Sequence, residues 1–430
     1  MASVRAVGKF CVVNTMPFIG TLGGTFAFSI LKGIAVVPSS ALLYYEVTAA
    51  NWTAYWSNVY NSLMTANAGC NATITQPNVS TVVSGASRFL GAVLAPNGRL
   101  FGIPNGLTSN FYIDTATDTE LMFSNSPVSL GTAGWQGGAL GPNGIIYTVP
   151  NTNANFMAID PVALTHTIYT TAAGPWTFTA GGWSGACLAP NGKIYCAPSS
   201  ATSILCINPA TNTASNVPTA GQPALSSATP CYCAVLAPNG NIYFTPGTNT
   251  ANNFFFKLNP TTETYTKITC SPAITGFQWR SAVLAPNGKI YCAPNAGIGT
   301  TPISNALVID TNTDTGGLVT MTMESGASTI NGVAGMWNGG AMGADGYIYY
   351  APYSASYVLR INPNVNPPSF NTLFTTLPVG GTKWRSATLA PNGNIYFMPF
   401  SCNIVGKLSF TLNQLPGSNL CLTPYLNHTN

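Results

Sequence analysis

The sequence predicts an all-β fold: a seven-bladed β-propeller of four-stranded blades, preceded by a small N-terminal α+β extension. Three observations carry this. A 16-residue phrase, written WSGACLAPNGKIYCAP at 183–198, recurs seven times without gaps. Its turn glycines, Gly98, Gly144, Gly192, Gly240, Gly288, Gly346 and Gly393, lie 46, 48, 48, 48, 58 and 47 residues apart. A second phrase, seen as VIDTNTDT at 308–315, follows each copy of the first, in degraded form as KLSFTLNQ at 407–414. A strand-built unit repeating at this period stacks on copies of itself, and seven copies suit a closed ring.

Residues 1–70 carry no copy of either phrase and are expected to form an anchoring or assembly segment, with 71–430 as the propeller. Strand patterns fall at 3–14 and 26–47. Over 49–66, Trp52, Tyr55, Trp56, Val59, Tyr60 and Leu63 recur at three- and four-residue spacing after a Thr48 cap, the pattern of an amphipathic helix. That aromatic face (Trp52, Tyr55, Trp56, Tyr60) suits either a plug on one end of the ring or an anchor in a partner subunit. Residues 72–80 are placed to add an outermost strand to blade seven and latch the ring. Leu420, Cys421 and Leu422 compete for that role.

Within the first phrase each column reads as one structural position. Ala or Gly at 92, 138, 186, 234, 282, 340 and 387 fits an innermost strand crowded around an axis. Pro-Asn-Gly, replaced only by Ala344-Asp345-Gly346, fits a tight hairpin, a type I turn closed by a glycine bulge. The aliphatic and aromatic columns after it (Ile194 and Tyr195 in blade three) mark a strand buried on both faces. The recurring proline (Pro198) lacks an N–H and ends that strand. Trp135, Trp183, Trp279, Trp337 and Trp384, with Phe89 and Cys231 in the same column, are read as wedges between blades; a ring present in nearly every blade is packing rather than a sugar platform. In the second phrase Asp114, Asp160 and Asp310 alternate with Asn208, Asn259 and Asn362. The two residue types share an acceptor oxygen and differ in charge, so the position bonds its own turn backbone. Asp114 with Asp118, and Asp310 with Asp314, have spacing that suits a cation, but the blades lacking the pair argue against one.

The two phrases together, IY-x-x-P and then I-[DN]-[PT]-x-T-x-T, resemble the YVTN-type repeats of seven-bladed propellers, over about residues 85–415. The resemblance implies the fold, and the settings of that family: surface-layer and other cell-surface proteins with adhesion, assembly or binding roles.

Composition narrows the function classes. Only 24 of 430 residues are charged, 14 basic and 10 acidic, against roughly a quarter in an ordinary domain. A surface so poor in charge is weakly repelled from its neighbours and suits a subunit of a permanent assembly. The lysines are scattered, so no nucleic-acid partner is expected. No membrane span is expected either: the apolar stretch 17–31 is too short and no signal peptide is evident. With only His166 and His428, a histidine triad or histidine metal site is nearly excluded. Glu46, Glu263, Glu324 and Asp345 read as scattered acids rather than a convergent pair. The expectation is therefore a non-enzyme without cofactor or metal. Cys187, Cys196 and Cys292 replace small or aromatic residues at repeat positions and read as buried thiols; Cys11 with Cys70, and Cys402 with Cys421, are open as bridges.

The expected function is a structural and binding subunit of an assembled particle, a virus or phage capsid, spike or tail, displayed at the virion surface. Its partners would be other protein subunits, with a host-surface protein or glycan as further candidates. The alternative is a secreted or cell-surface propeller that binds glycans. Candidate contact residues are Arg280 and Arg385, which share a repeat column, and Asn295, Ile298 and Glu324 on the insertions of blade five.

Overall fold

The computed structural model describes residues 72–75, 88–123, 134–152, 154–169, 182–228, 230–247, 252–297, 304–328, 330, 336–374, 377 and 381–411. Among these the chain is all strand and turn. It forms seven blades of antiparallel strands in the order inner to outer. Blade one runs Phe89–Leu94, Arg99–Pro104, Asn110–Asp114 and Thr119–Phe123. Blades two, three and four follow the same order from Trp135–Leu140, Trp183–Leu188 and Cys231–Leu236. The inner strand of blade one packs against those of blades two and seven, which makes the circle complete. The helix expected over 49–66, with Trp52, Tyr55, Trp56 and Tyr60, lies outside the described residues, as do Leu420, Cys421 and Leu422.

Blade seven is built from both ends of the ring. Trp384–Leu389, Ile395–Pro399 and Gly406–Phe410 supply three strands, and Ala72–Thr75 pairs antiparallel with the third, Ile74 opposite Leu408. The upstream segment is thus the latch. Arg88 adds a bolt at the same seam: it is 2% exposed and donates from Nη1 to the Cys402 carbonyl at 2.5 Å and from Nη2 to Asn403 Oδ1 at 3.1 Å.

Each inner hairpin is the turn that its Pro-Asn-Gly requires. In blade one Gly98 N–H donates to the Ala95 carbonyl, Ala95 N–H donates to the Arg99 carbonyl, and Gly98 takes a φ of 81°. The asparagine does more than tolerate the turn. Its Oδ1 accepts the N–H two residues on, as Asn191 does from Lys193 at 3.1 Å. Its Nδ2 crosses to a carbonyl in the outer hairpin of the next blade: Asn97 to Pro161, Asn143 to Pro209, Asn191 to Pro260, Asn239 to Thr311, Asn287 to Pro363 and Asn392 to Thr115, at 2.5–3.3 Å. The aromatic column makes the parallel crossing. The hydroxyls of Tyr147, Tyr195 and Tyr243 donate to Asn212, Glu263 and Asp314 at 2.6, 3.0 and 2.6 Å, and Tyr396 donates to Asp118. Glu263 therefore belongs to a repeat column with Asp118, Asn212 and Asp314, and is not a scattered acid.

The remaining columns are scaffold. Asp114, Asp160, Asn208, Asn259, Asp310 and Asn362 each accept the N–H two residues on, at 2.8–3.1 Å. All five tryptophans of the wedge column are buried, and four of them, Trp135, Trp183, Trp337 and Trp384, donate from Nε1 to the carbonyl twenty residues on. Small residues near the axis are a steric need: a Cβ on Gly339, at φ 72°, would stand 2.4 Å from Ser386 Cα of the next blade. The eight described cysteines are buried thiols; Cys11, Cys70 and Cys421 lie outside the described residues.

Blades five and six depart from the pattern. In blade five the inner hairpin is broken into Val283–Leu284 with Lys289–Cys292, and a separate ribbon of Phe277–Trp279 with Pro294–Gly297. Blade six gains a fifth strand, Thr322–Met323, parallel to its outer strand Ser369–Leu373.

Candidate functional site

Antiparallel blades put the inner and outer hairpins on one face of the ring. The loops between second and third strands, and the connections between blades, lie on the other. Charge divides with them. Seven of the described acids, Asp114, Asp118, Asp160, Glu263, Asp310, Asp314 and Asp345, sit in the hairpins of the first face. Arg99, Lys193, Lys257, Lys289 and Lys407 pair with acids there. Arg88, Arg280, Lys383 and Arg385 belong to the opposite face, beside the entry to the inner strands.

The residue after the wedge forms a layer of seven around the axis at that mouth: Leu90, Gln136, Ser184, Tyr232, Arg280, Asn338 and Arg385. Side chains of successive blades touch in this layer. Gln136 Nε2 donates to Ser184 Oγ at 3.0 Å, Ser184 Oγ donates to the Tyr232 carbonyl at 3.0 Å, and the Arg280 guanidinium lies 4.9 Å from the Tyr232 ring centre. Arg385 lies over Phe400 at 4.9 Å and Tyr353 at 5.9 Å, two rings that are themselves 5.5 Å apart. Burial, and then the charge of Arg280, bring Arg385 down to about 10, while Tyr353 and Tyr232 act the other way. Arg280 is two blades from Arg385 and Tyr232 three, so the Arg385 side chain reaches toward the axis.

The column after the recurring proline explains why. In most blades it is small or polar and ties the loop to the next blade: Asn151 Nδ2 donates to the Trp183 carbonyl and Asn295 Nδ2 to the Trp337 carbonyl, both at 2.9 Å. In blades six and seven it becomes Tyr353 and Phe400, which give Arg385 its aromatic bed. Lys383 next to it is buried, donates from Nζ to the Gly381 carbonyl at 3.0 Å, and is held below the ordinary lysine value by burial.

The structure separates the candidate contact residues. Arg280 and Arg385 come together at the mouth. Asn295 is 2% exposed and bonded to the wall of blade six, so it holds the scaffold and does not face a partner. Glu324 is on the outer edge of blade six, remote from the axis. It accepts from Arg360, from Ser369 Oγ at 2.7 Å and from Asn371 Nδ2 at 3.3 Å, and buckles the fifth strand in place. Burial alone would raise Glu324, but these bonds outweigh it and the carboxyl sits below its usual value. Ile298 lies outside the described residues. Sequence reasoning missed Tyr232, Tyr353 and Phe400; their signal is that each is a large aromatic in a column otherwise filled mainly by small or polar residues.

Comparison with known proteins places the fold. The sequence matches no protein-family model and no curated protein. The structure is similar to that of streptogramin B lyase, at 14% identity and a TM-score of 0.60, covering 79% of this chain and 98% of that one. Virginiamycin B lyase from Staphylococcus aureus matches at 13% identity and 0.58, covering 79% and 99%. The extracellular domain of a hybrid two-component system from B. thetaiotaomicron matches at 12% and 0.54, covering 77% of this chain and 40% of that one. The chain is a divergent propeller repeat protein. Two of these structures are lyases, which corrects the expectation of a non-enzyme: a ring of this shape can carry catalysis. At such identities the likeness transfers the fold and not a reaction.

Chemically, the mouth offers two guanidiniums, amide and hydroxyl donors, and aromatic faces; the layer itself contains no acid or histidine. Among the described residues no group of three or more His, Cys, Asp or Glu is arranged to hold a metal ion. Asp118 and Asp314 turn instead to Lys407 and Lys257. No helix of the described residues is long and apolar enough to cross a membrane.

Proposed function

We propose that this chain is a binding propeller whose working face is the arginine-bearing mouth, and that it serves as a subunit of a larger assembly. The observation that carries the reading is the division of charge. Most of the described carboxylates and four of the six described lysines neutralise one another on the hairpin face, while Arg385 stands at the opposite mouth outside every ion pair of the described residues. A charge held there, in a protein with so few, has a partner to meet. The near-neutral remainder of the surface favours permanent neighbours, and a virion surface is the setting we favour among assemblies. The mass of the protein in native material tests this: a large, stoichiometric particle supports the reading, and a free glycosylated monomer replaces it with a secreted or cell-surface propeller.

A further inference from the structure

We propose that Arg280 and Arg385 seat a carboxylate side chain of a partner protein, an acidic peptide segment that enters the channel mouth end-on. This deepens the binding reading above and rests on it.

The two arginines come from blades five and seven; Arg280 lies over Tyr232 of blade four, and Arg385 over Phe400 and Tyr353. The charge of Arg280 is felt at Arg385, so the two guanidiniums share one mouth of the ring. Like charges brought together repel, and no acid in the layer offsets them. An anion between them removes that repulsion. The guanidinium fork matches a carboxylate, with two parallel N–H donors facing two oxygens.

Further donors surround the place. Asn338 stands in the layer between the arginines, 3% exposed, with its Oδ1 accepting from Asn295 at 3.4 Å and its Nδ2 without a partner. An unpartnered buried donor such as Asn338 Nδ2 is one that a ligand group can complete.

A sugar ring is the poorer fit. Sugars stack on bare aromatic faces, and here Tyr232, Tyr353 and Phe400 are already covered by the guanidiniums. What remains exposed to a visitor is positive charge and N–H donors.

The test is fluorescence anisotropy with a labelled tetraglutamate peptide on the full chain, at low salt. The proposal expects saturable binding that R385Q and R280Q each weaken by about tenfold, the loss of one charge-assisted bonding pair. K267Q, on the exposed outer strand of blade four, is expected to leave binding unchanged. R385K keeps the charge but loses the fork, and is expected to fall between wild type and R385Q; it serves where R385Q does not fold. No binding at millimolar peptide, equal binding of tetraglutamine, or an affinity in R385Q and R280Q unchanged from wild type overturns the proposal. So does a sulfated oligosaccharide or inorganic phosphate that binds more tightly at the same arginines. Failure here, with the native protein still found in an assembly, removes this site and leaves the binding propeller standing. A free monomer that still binds tetraglutamate does the reverse.

Discussion

Asp345 accepts the Tyr349 hydroxyl on Oδ2 at 2.6 Å, at the position where five other blades place an asparagine that donates to its tyrosine. The exception has a structural cause. In those blades the asparagine also donates to an outer-hairpin carbonyl of the next blade. Blade seven takes its outer strand from residues 72–75 and has no such hairpin. An amide at position 345 lacks the carbonyl that the column serves. The broken Pro-Asn-Gly at 344–346 and the degraded second phrase at 407–414 thus report one event, the seam of the ring.

Asp345 is 2% exposed, and burial holds it up to about 6, above the ordinary aspartate value of about 3.9. Between those values the folded chain binds a proton that the unfolded chain has lost. The stability from this group is present below about pH 4 and is lost as pH rises through about 6. Asp345→Asn is expected to stabilise the protein by about 1–2 kcal/mol at pH 7 and to flatten this part of the pH profile. Urea unfolding at pH 4.5 and 7 measures both. A variant less stable at pH 7 speaks against the account.

The turn asparagines tie blade to blade. Asn191→Ala removes bonds to the Pro260 carbonyl, the Tyr195 hydroxyl and its own turn, and is expected to cost about 2–3 kcal/mol. Asn97→Ala faces Phe101, which has no hydroxyl, and is expected to cost about 1 kcal/mol less. Equal losses in thermal unfolding would remove the tyrosine from the network.

Blade one carries Phe101 where others carry tyrosine, and the facing position in blade two is Leu164, packed against the same cluster. Where the column holds Tyr147, Tyr195, Tyr243 or Tyr396, the facing residue is Asn212, Glu263, Asp314 or Asp118. Phe101→Tyr alone buries a hydroxyl against leucine and is expected to destabilise by about 1–3 kcal/mol. Adding Leu164→Asn is expected to recover most of it, since Asn also suits the left-handed φ of 56° at that residue. A double-mutant cycle with no coupling contradicts the pairing.

The buried thiols are expected to be inert. Burial pushes Cys206 up to about 11 and Cys270 up to about 12, and the thiolate is the reactive form. Iodoacetamide at pH 8 is expected to label Cys187, Cys196, Cys206, Cys231, Cys233, Cys270 and Cys292 only after denaturation, as peptide mass mapping reads. Rapid labelling of the native protein at these positions would contradict their burial.

The ring was legible because each blade repeats the same physical problem. Gly98 and its equivalents need positive φ, the tryptophans need a wedge-shaped gap, and a column spanning Asp and Asn reveals itself as neutral work. Glu263 was not legible: its column in the second phrase varies among Asp118, Leu164, Asn212 and Asp314, and its partner Tyr195 is 68 residues away in the chain. Asn295 looked like an insertion residue and proved to be wall, because the ribbon of Phe277–Trp279 with Pro294–Gly297 carries it inward. Arg280 and Arg385 were visible as a shared column. Their convergence was not, since it depends on Tyr232, Tyr353 and Phe400 from three other places in the repeat.

The central claim is that the arginine-bearing mouth, and not the hairpin face, meets the partner. Hydrogen–deuterium exchange on the native assembly, compared with the free chain, tests it most directly. The account predicts slowed exchange at the amides around Tyr232, Arg280, Tyr353, Arg385 and Phe400, with the turns at Gly98, Gly192 and Gly288 unchanged. Protection confined to those turns, with the mouth exchanging as in the free chain, would contradict it.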